Sequence, residues 1–313
     1  MPEISVVIPC YNRADLIGRA VESVRAQNFA DLEIVIVDDG SKDDSIAVIE
    51  RLAADEPRIR LVRHPRNRGE AAARNTGMRE ARGRLIAFLD SDDSWLEGKL
   101  ERTCKAMADS DVAAVVTGNI VVMPDGDRVY DDAWHFHEPI TVRTLLVKGC
   151  SIGLGGNVLM RRDAALAAGP FDETLKLYVD VDWLCRFLDG RRMIAINEPY
   201  TIYYKAPLRD GDAVAAAAEA FQAKNAALIG RFSPRDRRLI RAQFHENVAV
   251  CHKASGNRSG FLRASCKSLM ARPLRRPGVY VELIEIALGL NLRRPMLQMM
   301  GRGRKSASRE QAS

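Results

Sequence analysis

The sequence predicts an α/β protein, with a mostly parallel sheet flanked by helices and a helical extension at the C-terminal end. Three observations carry that prediction. Short, continuous, β-branched apolar runs alternate with segments of helical period through roughly the first hundred residues, the pattern of βαβ units with right-handed crossovers. Three of those runs end in the polar clusters "PCYN", "DDGS" and "DSDD", at the carboxyl edge where open α/β sheets bind their ligands. From about residue 207 the strand pattern gives way to Ala-rich and charged helical segments.

Each element has its own warrant. "ISVVIP" (Ile4 to Pro9) is a continuous apolar run stopped by proline, as in a strand buried on both faces. Arg13 to Gln27 places Leu16, Ile17, Ala20, Val21 and Val24 at helical spacing. Leu32 to Ser41 is a second buried strand ending in acid, and Asp43 to Asp55 a helix opened by a capping Asp. Ile59 to His64 reads as a third strand, Gly69 to Arg82 as a helix closed by Gly83, and Arg84 to Leu89 as a fourth strand. Beyond it, Val112 to Met123 reads as a strand and "RVYDDAWHF" as edge structure. Gly156 to Leu175 holds a strand and a helix capped by Asp163, Asp180 to Gly190 is a helix, and Arg192 to Lys205 is extended and aromatic. The Ser-Pro at 233 and 234 opens a C-terminal helix with proline at its first position.

The 313 residues suffice for one large domain or two smaller ones. The chain is predicted to divide into residues 1–206, a helical region over 207–301 and a basic, disordered tail over 302–313. No apolar run is long and uncharged enough to span a bilayer. "MPEISVVIP" lacks a basic n-region and a cleavage site, and reads as a strand. Six scattered cysteines without a CxxC pair favour reduced thiols and a cytoplasmic setting. Charge is unevenly distributed. From Arg231 onward 18 Lys and Arg face 5 Asp and Glu, a net of +13 that leaves −7 for the first 230 residues. That basic third has two readings: a solvated helical packing surface, or peripheral contact with an anionic membrane. A nucleic-acid partner is not expected, because aromatic interleaving and a reader motif are missing.

The chemistry concentrates in "FLDSDDSWLEGK" (Phe88 to Lys99), which puts Asp90, Asp92 and Asp93 within four positions. Like charges this close raise one another's pKa unless a cation sits among them. Asp90 and Asp92 point the same way from an extended segment. Their hard oxygens, with no His or Cys beside them, suit Mg²⁺ or Mn²⁺ rather than zinc. An ion with so few protein ligands completes its shell with substrate phosphates. "DDGS" offers carboxylates to a nucleobase N–H or a ribose hydroxyl, and Tyr11 and Asn12 offer an aromatic face and an amide. Arg74 suits a phosphate or the bracing of the acids.

Taken in order, "VVIPCYNRADLIGRAVESVRAQ", "EIVIVDDGSKDDS", "NRGEAAARNTGMREARGRLIAFLDSDD" and "GPFDETLKLYVDVDWLCRFL" resemble family 2 glycosyltransferases with the GT-A fold. The resemblance implies a Rossmann-like nucleotide-binding half over about residues 1–100 and an acceptor half over about 101–206. It implies a nucleotide-diphospho-sugar donor, with a UDP-sugar favoured, a divalent Mn²⁺ or Mg²⁺, and transfer with inversion to a glycan or lipid-linked acceptor. Pro9, Tyr11 and Asn12 match the first nucleotide-binding loop. Asp39 matches the acid that reads the base, and Arg74 the arginine of the "ARN" segment. Asp90 matches the first acid of the DxD motif, Asp92 the metal ligand, and Asp180 the catalytic base. Two departures stand out: Val179 replaces the Glu of the family's Glu-Asp pair, with a second acid at Asp182, and Lys205 stands near the usual Arg-x-His.

Other classes compete less well. A non-catalytic nucleotide-sugar-binding module is the alternative that Val179 keeps open. A dinucleotide-dependent oxidoreductase lacks its glycine fingerprint. His135 and His137 have ligand-like spacing without a third ligand, and "SIGLGGN" (Ser151 to Asn157) does not fit GxGxxG before a helix.

Overall fold

The computed structural model describes residues 2–272, apart from 124–125, 127, 132–138, 149–151 and 206–208. His135, His137, Ser151, the apolar-basic segment 277–305 and the predicted tail lie outside the described residues. The chain divides into two compact units, Met1–Pro207 and Leu208–Ser313.

The first unit opens with β1 (Ile4–Cys10), α1 (Ile17–Arg25), β2 (Leu32–Asp38), α2 (Ser45–Asp55), β3 (Ile59–Arg63), α3 (Glu70–Glu80) and β4 (Leu85–Phe88). After β4 come β5 (Ser94–Trp95), α4 (Lys99–Ala106), β6 (Val112–Val122), β7 (Arg128–Asp131), α5 (Val142–Lys148), β8 (Val158–Arg161), α6 (Arg162–Ala167), α7 (Val179–Phe187) and β9 (Arg192–Tyr204). Nine strands form one sheet in the order β3-β2-β1-β4-β8-β6-β9-β5, with β7 on β6. The first four are parallel neighbours, with Ile4 opposite both Leu32 and Leu85. Beyond β4 the sheet changes direction: β8 runs antiparallel to β4 and β6, while β6 and β9 pair in parallel through two bulged steps around Thr117 and Gly118.

The sequence pattern explains this order. All seven residues of β1 and of β2 are buried, as expected of strands covered on both faces. Helix α1 turns Ile17, Ala20, Val21 and Val24 onto them. Ile17, Val21 and Val24 each contribute about 1.5–3 kcal/mol when fully buried, and Ala20 less. Helix α3 lies hard against β1, since a Cβ on Gly77 would meet Val7 Cγ1 at 2.1 Å. That close approach sets the height of Arg74 above the strand tips. Asp163 lies inside the first turn of α6 rather than at its cap, which is Arg161.

The second unit contains α8 (Gly211–Lys224), α9 (Ala226–Gly230), α10 (Pro234–Ala254) and α11 (Arg258–Ala271). Ser233 caps α10 by accepting from Asp236 N, with Pro234 at the first position. Helix α11 is hard to read from sequence because its buried face uses Gly260, Ser265 and Ser268 beside Phe261 and Ala264. Among the described residues no helix is long and apolar enough to cross a membrane.

Candidate active site

The tips of β1, β2 and β4 and the start of α7 bring the predicted residues to one edge of the sheet. Its centre is a guanidinium. Arg74, 3% exposed, donates from Nη1 to Asp180 Oδ1 at 2.6 Å and from Nη2 to Asp90 Oδ1 at 2.9 Å. Glu70, one turn earlier on α3, adds an ion pair at 2.5 Å. A side-chain cation therefore sits among Asp90, Asp180 and Glu70. Burial works against the charge on Arg74, but Asp180, Asp90 and Glu70 outweigh it and push its pKa above the ordinary arginine value. Three carboxylates around one guanidinium still leave the pocket negative.

The segment 154–157 is the second organiser. Leu154 N donates to Asp180 Oδ2 at 2.9 Å, and Asp90 N donates to Gly155 O at 2.6 Å. A Cβ on Gly155 would lie 1.9 Å from Asp90 Oδ2, so a glycine is required there. Asp90 is raised to about 6 by burial, against the pull of Arg74. Its neighbour Asp93, 2% exposed, accepts from Tyr204 N at 3.1 Å and is raised to about 8, by burial first and by Asp90 second. Asp93 is thus a brace between the acidic loop and the end of β9.

Asp92 faces outward. Its carboxylate is 37% exposed and meets only Arg13, at 3.4 Å, among the described ion pairs. Its backbone carbonyl accepts from Arg19, whose guanidinium lies 3.8 Å over the Tyr204 ring. No group of three His, Cys, Asp or Glu side chains among the described residues has metal-holding geometry. One open, hard carboxylate beside a buried one fits Mg²⁺ or Mn²⁺ whose remaining ligands come from a diphosphate.

The first loop behaves differently from the others. Asn12, at φ 51, accepts from Lys42 N at 2.8 Å through Oδ1, and its own N–H reaches Ser41 Oγ at 2.9 Å. It ties the β1 tip to the β2 tip. Pro9 is buried within β1 opposite Val37. Tyr11 is 37% exposed and lines a cavity of about 630 Å³ with Asp38, Lys42, Arg63, His64, Arg66 and Asn67.

The two acids of "DDGS" divide their work. Asp39 receives His64 Nδ1 at 2.7 Å, Arg68 N at 3.0 Å and Gly69 N at 2.7 Å. Its carboxylate fixes the loop that leads into α3. Asp38 spends Oδ2 on Gly40 N and Ser41 N, while Oδ1 is buried with no hydrogen-bond partner. Asp38 itself is fully buried, so that unpaired oxygen is sealed from the cavity. Either Asp suits a turn, and only the family resemblance singled out Asp39. Asp182 is 1% exposed and pairs with Arg186 at 3.5 Å, whereas the Asp180 side chain keeps 25% exposure beside Arg74.

Comparison with known proteins identifies the family and the fold. The family model "Glycosyl transferase family 2" matches residues 5–167. ExoO, a succinoglycan biosynthesis protein of Rhizobium meliloti, is 42% identical over 136 residues, covering 42% of this chain and 38% of its own. TuaG of Bacillus subtilis, a putative teichuronic acid biosynthesis glycosyltransferase, is 37% identical over 140 residues, covering 45% and 55%. The chain thus spans between 38% and 55% of the length of these relatives. Among solved structures, TarS residues 1–349 of S. aureus in complex with UDP-GlcNAc superposes with TM-score 0.64 at 18% identity, over 87% of this chain and 81% of that 1–349 chain. A mannosyltransferase of Pyrobaculum calidifontis, in complex with GDP-Man and Mn²⁺, gives 0.60 at 21% identity over 92% and 80%. These structural likenesses identify the fold as GT-A. With the family match reaching from β1 into α6, across the segments that carry Asp39, Arg74, Asp90 and Asp92, this chain belongs to glycosyl transferase family 2.

Proposed function

We propose that the protein transfers a sugar, with inversion at the anomeric carbon, from a nucleotide-diphospho-sugar to an acceptor hydroxyl on a glycan or lipid-linked saccharide. The observation that carries this reading is the shared guanidinium: Arg74 holds Asp180 and Asp90 on its two terminal nitrogens. A base and the donor's phosphate end are thereby set side by side. Asp180 takes the proton of the acceptor hydroxyl as that oxygen attacks the anomeric carbon. The bond from that carbon to the diphosphate oxygen breaks, and the nucleoside diphosphate leaves with the electron pair. Asp180 is oriented at both oxygens, by Arg74 and by Leu154 N, and each oxygen retains a lone pair for the incoming proton. A positioned base contributes roughly 10²–10⁴-fold in rate. Asp92 and Asp90 would hold a divalent ion, which supplies Lewis-acid stabilisation of the departing diphosphate.

The donor reading favours uridine. TarS, which shares this fold, is solved with UDP-GlcNAc and with UDP, and supports a uridine donor. In this reading Asp39 belongs to the base-binding edge, where its carboxylate holds the loop of Arg68 and Gly69. Relatives whose names specify polysaccharide synthesis or a polyprenol-linked acceptor, such as a Campylobacter jejuni glucosyltransferase 36% identical over 128 residues, support the acceptor class. Weak peripheral contact of the basic tail with an anionic membrane at the cytoplasmic face, the C-terminal helices serving as packing, completes the proposal. Liposome flotation of chains with and without residues after Asn291 tests that part, and no change on truncation refutes it.

The central test is a screen of the purified protein with Mn²⁺ against UDP- and GDP-sugars, following release of nucleoside diphosphate. UDP-sugar turnover ahead of GDP-sugar turnover is expected, and Asp180→Asn should bind donor while losing transfer by roughly 10²–10⁴-fold. Full activity in Asp180→Asn would remove it as the base.

A further inference from the structure

We infer that Lys99, buried beneath the site and touching none of its carboxylates, is a positioning residue for transfer: its ammonium anchors the 154–157 segment that orients Asp90 and Asp180. The inference rests on the glycosyl-transfer reading above. Lys99 Nζ donates to Thr117 Oγ1 at 2.8 Å and to Thr201 Oγ1 at 3.3 Å. Those hydroxyls spend their own protons on the segment: Thr201 Oγ1 donates to Gly156 O at 3.0 Å and Thr117 Oγ1 to Asn157 O at 3.4 Å. Trp95 Nε1 adds a bond to Gly156 O at 2.7 Å, and its ring lies 5.4 Å from Nζ. One residue above this footing, Gly155 O takes Asp90 N, and Leu154 N reaches Asp180. The chain of contacts from Nζ to both carboxylates is continuous.

Three features set Lys99 apart from a packing residue. It is 1% exposed. It is the first residue of α4, where the helix dipole disfavours a cation. Its hydrogen bonds go to two hydroxyls rather than to a carboxylate, which leaves its charge unneutralised. A residue that breaks local rules without a compensating gain in stability is the kind found at functional sites. The backbone is shaped to suit it. Two register shifts between β6 and β9 set Thr201 opposite Asn119, on the same face as Thr117. Bulges of this kind re-aim side chains beside active sites. Burial lowers the Lys99 pKa to about 7, yet the amine keeps at least two N–H donors in either protonation state, so both hydroxyl contacts persist.

Lys99→Met, close in length and without donors, tests the role. Because the segment aligns the base and Asp90 of the metal site while the nucleotide cavity is built from the β1–β3 tips, kcat should fall by roughly 10–100-fold, with donor KM rising less than kcat falls and the affinity for metal-free nucleoside diphosphate staying within about threefold. Hydrogen exchange at the amides of Leu154 to Asn157 should accelerate in the variant, and this readout needs neither donor nor turnover. Wild-type kcat in folded Lys99→Met, or unchanged exchange across the segment, overturns the inference. If Lys99→Met fails to fold, Thr201→Val, which removes one relayed hydroxyl at constant shape, must show the same kcat loss and faster exchange in weaker form. An unchanged Thr201→Val then overturns it. If the wild type turns over no donor, the proposed function fails while the exchange experiment still decides the positioning claim.

Discussion

Lys99 should make the stability of this protein depend on alkaline pH. The folded amine has its pKa near 7, against an ordinary 10.5, with burial as the cause. A tenfold difference in proton affinity corresponds to ~1.4 kcal/mol. The gap therefore sets an upper bound of roughly 5 kcal/mol on the cost of carrying Lys99 charged into the fold. The sign follows from the depressed folded value. The unfolded chain binds the proton more tightly, so the native state is favoured most above pH 10.5 and loses ground as pH falls toward 7. Below about 7 the contribution is flat, because both states are protonated. Urea unfolding of wild type and Lys99→Met at several pH values between 7.5 and 9.5 isolates this effect, because other titrating groups cancel in the difference. The difference in unfolding free energy should change by about 1.4 kcal/mol per pH unit, with the wild type gaining as pH rises. Parallel curves would refute the reasoning, by showing that Lys99 keeps its proton in the fold with a near-normal pKa.

Two further outcomes follow from the site. Asp92→Ala should abolish the Mn²⁺-dependent part of donor affinity, since Asp92 is the open carboxylate of the pair; isothermal titration with and without Mn²⁺ reads this, and unchanged affinity would exclude the metal role. Gly155→Ala should lower activity by at least 10-fold in a protein that still folds, because the new methyl displaces the Asp90 carboxylate; activity within twofold of wild type would show that the segment yields freely.

Hydrophobic pattern and turn chemistry made the first half of the fold legible. Continuous β-branched runs can be read as buried parallel strands because both faces are covered, and β1 and β2 are buried throughout. The pattern was silent on β5 and on the direction change at β8, because antiparallel pairing leaves no mark on a short apolar run. It also misassigned Gly83, which does not cap a helix: Ala81 ends α3 in an extended conformation, and a Cβ on Gly83 would sit 2.6 Å from Ser5 N. Close approach between distant segments demands glycine as firmly as a turn does, and the two demands look alike in a sequence.

The sequence by itself determined the alternation of strands and helices, the gathering of acids at the strand tips and the family resemblance, since all three depend on residue order and local periodicity. Only the tertiary structure decided which carboxylates share Arg74, which acid of the "DDGS" pair keeps an unpaired oxygen, and that Lys99 lies beneath the site. These are relations between residues up to 106 positions apart, fixed when packing brings their side chains together. No local pattern carries that information.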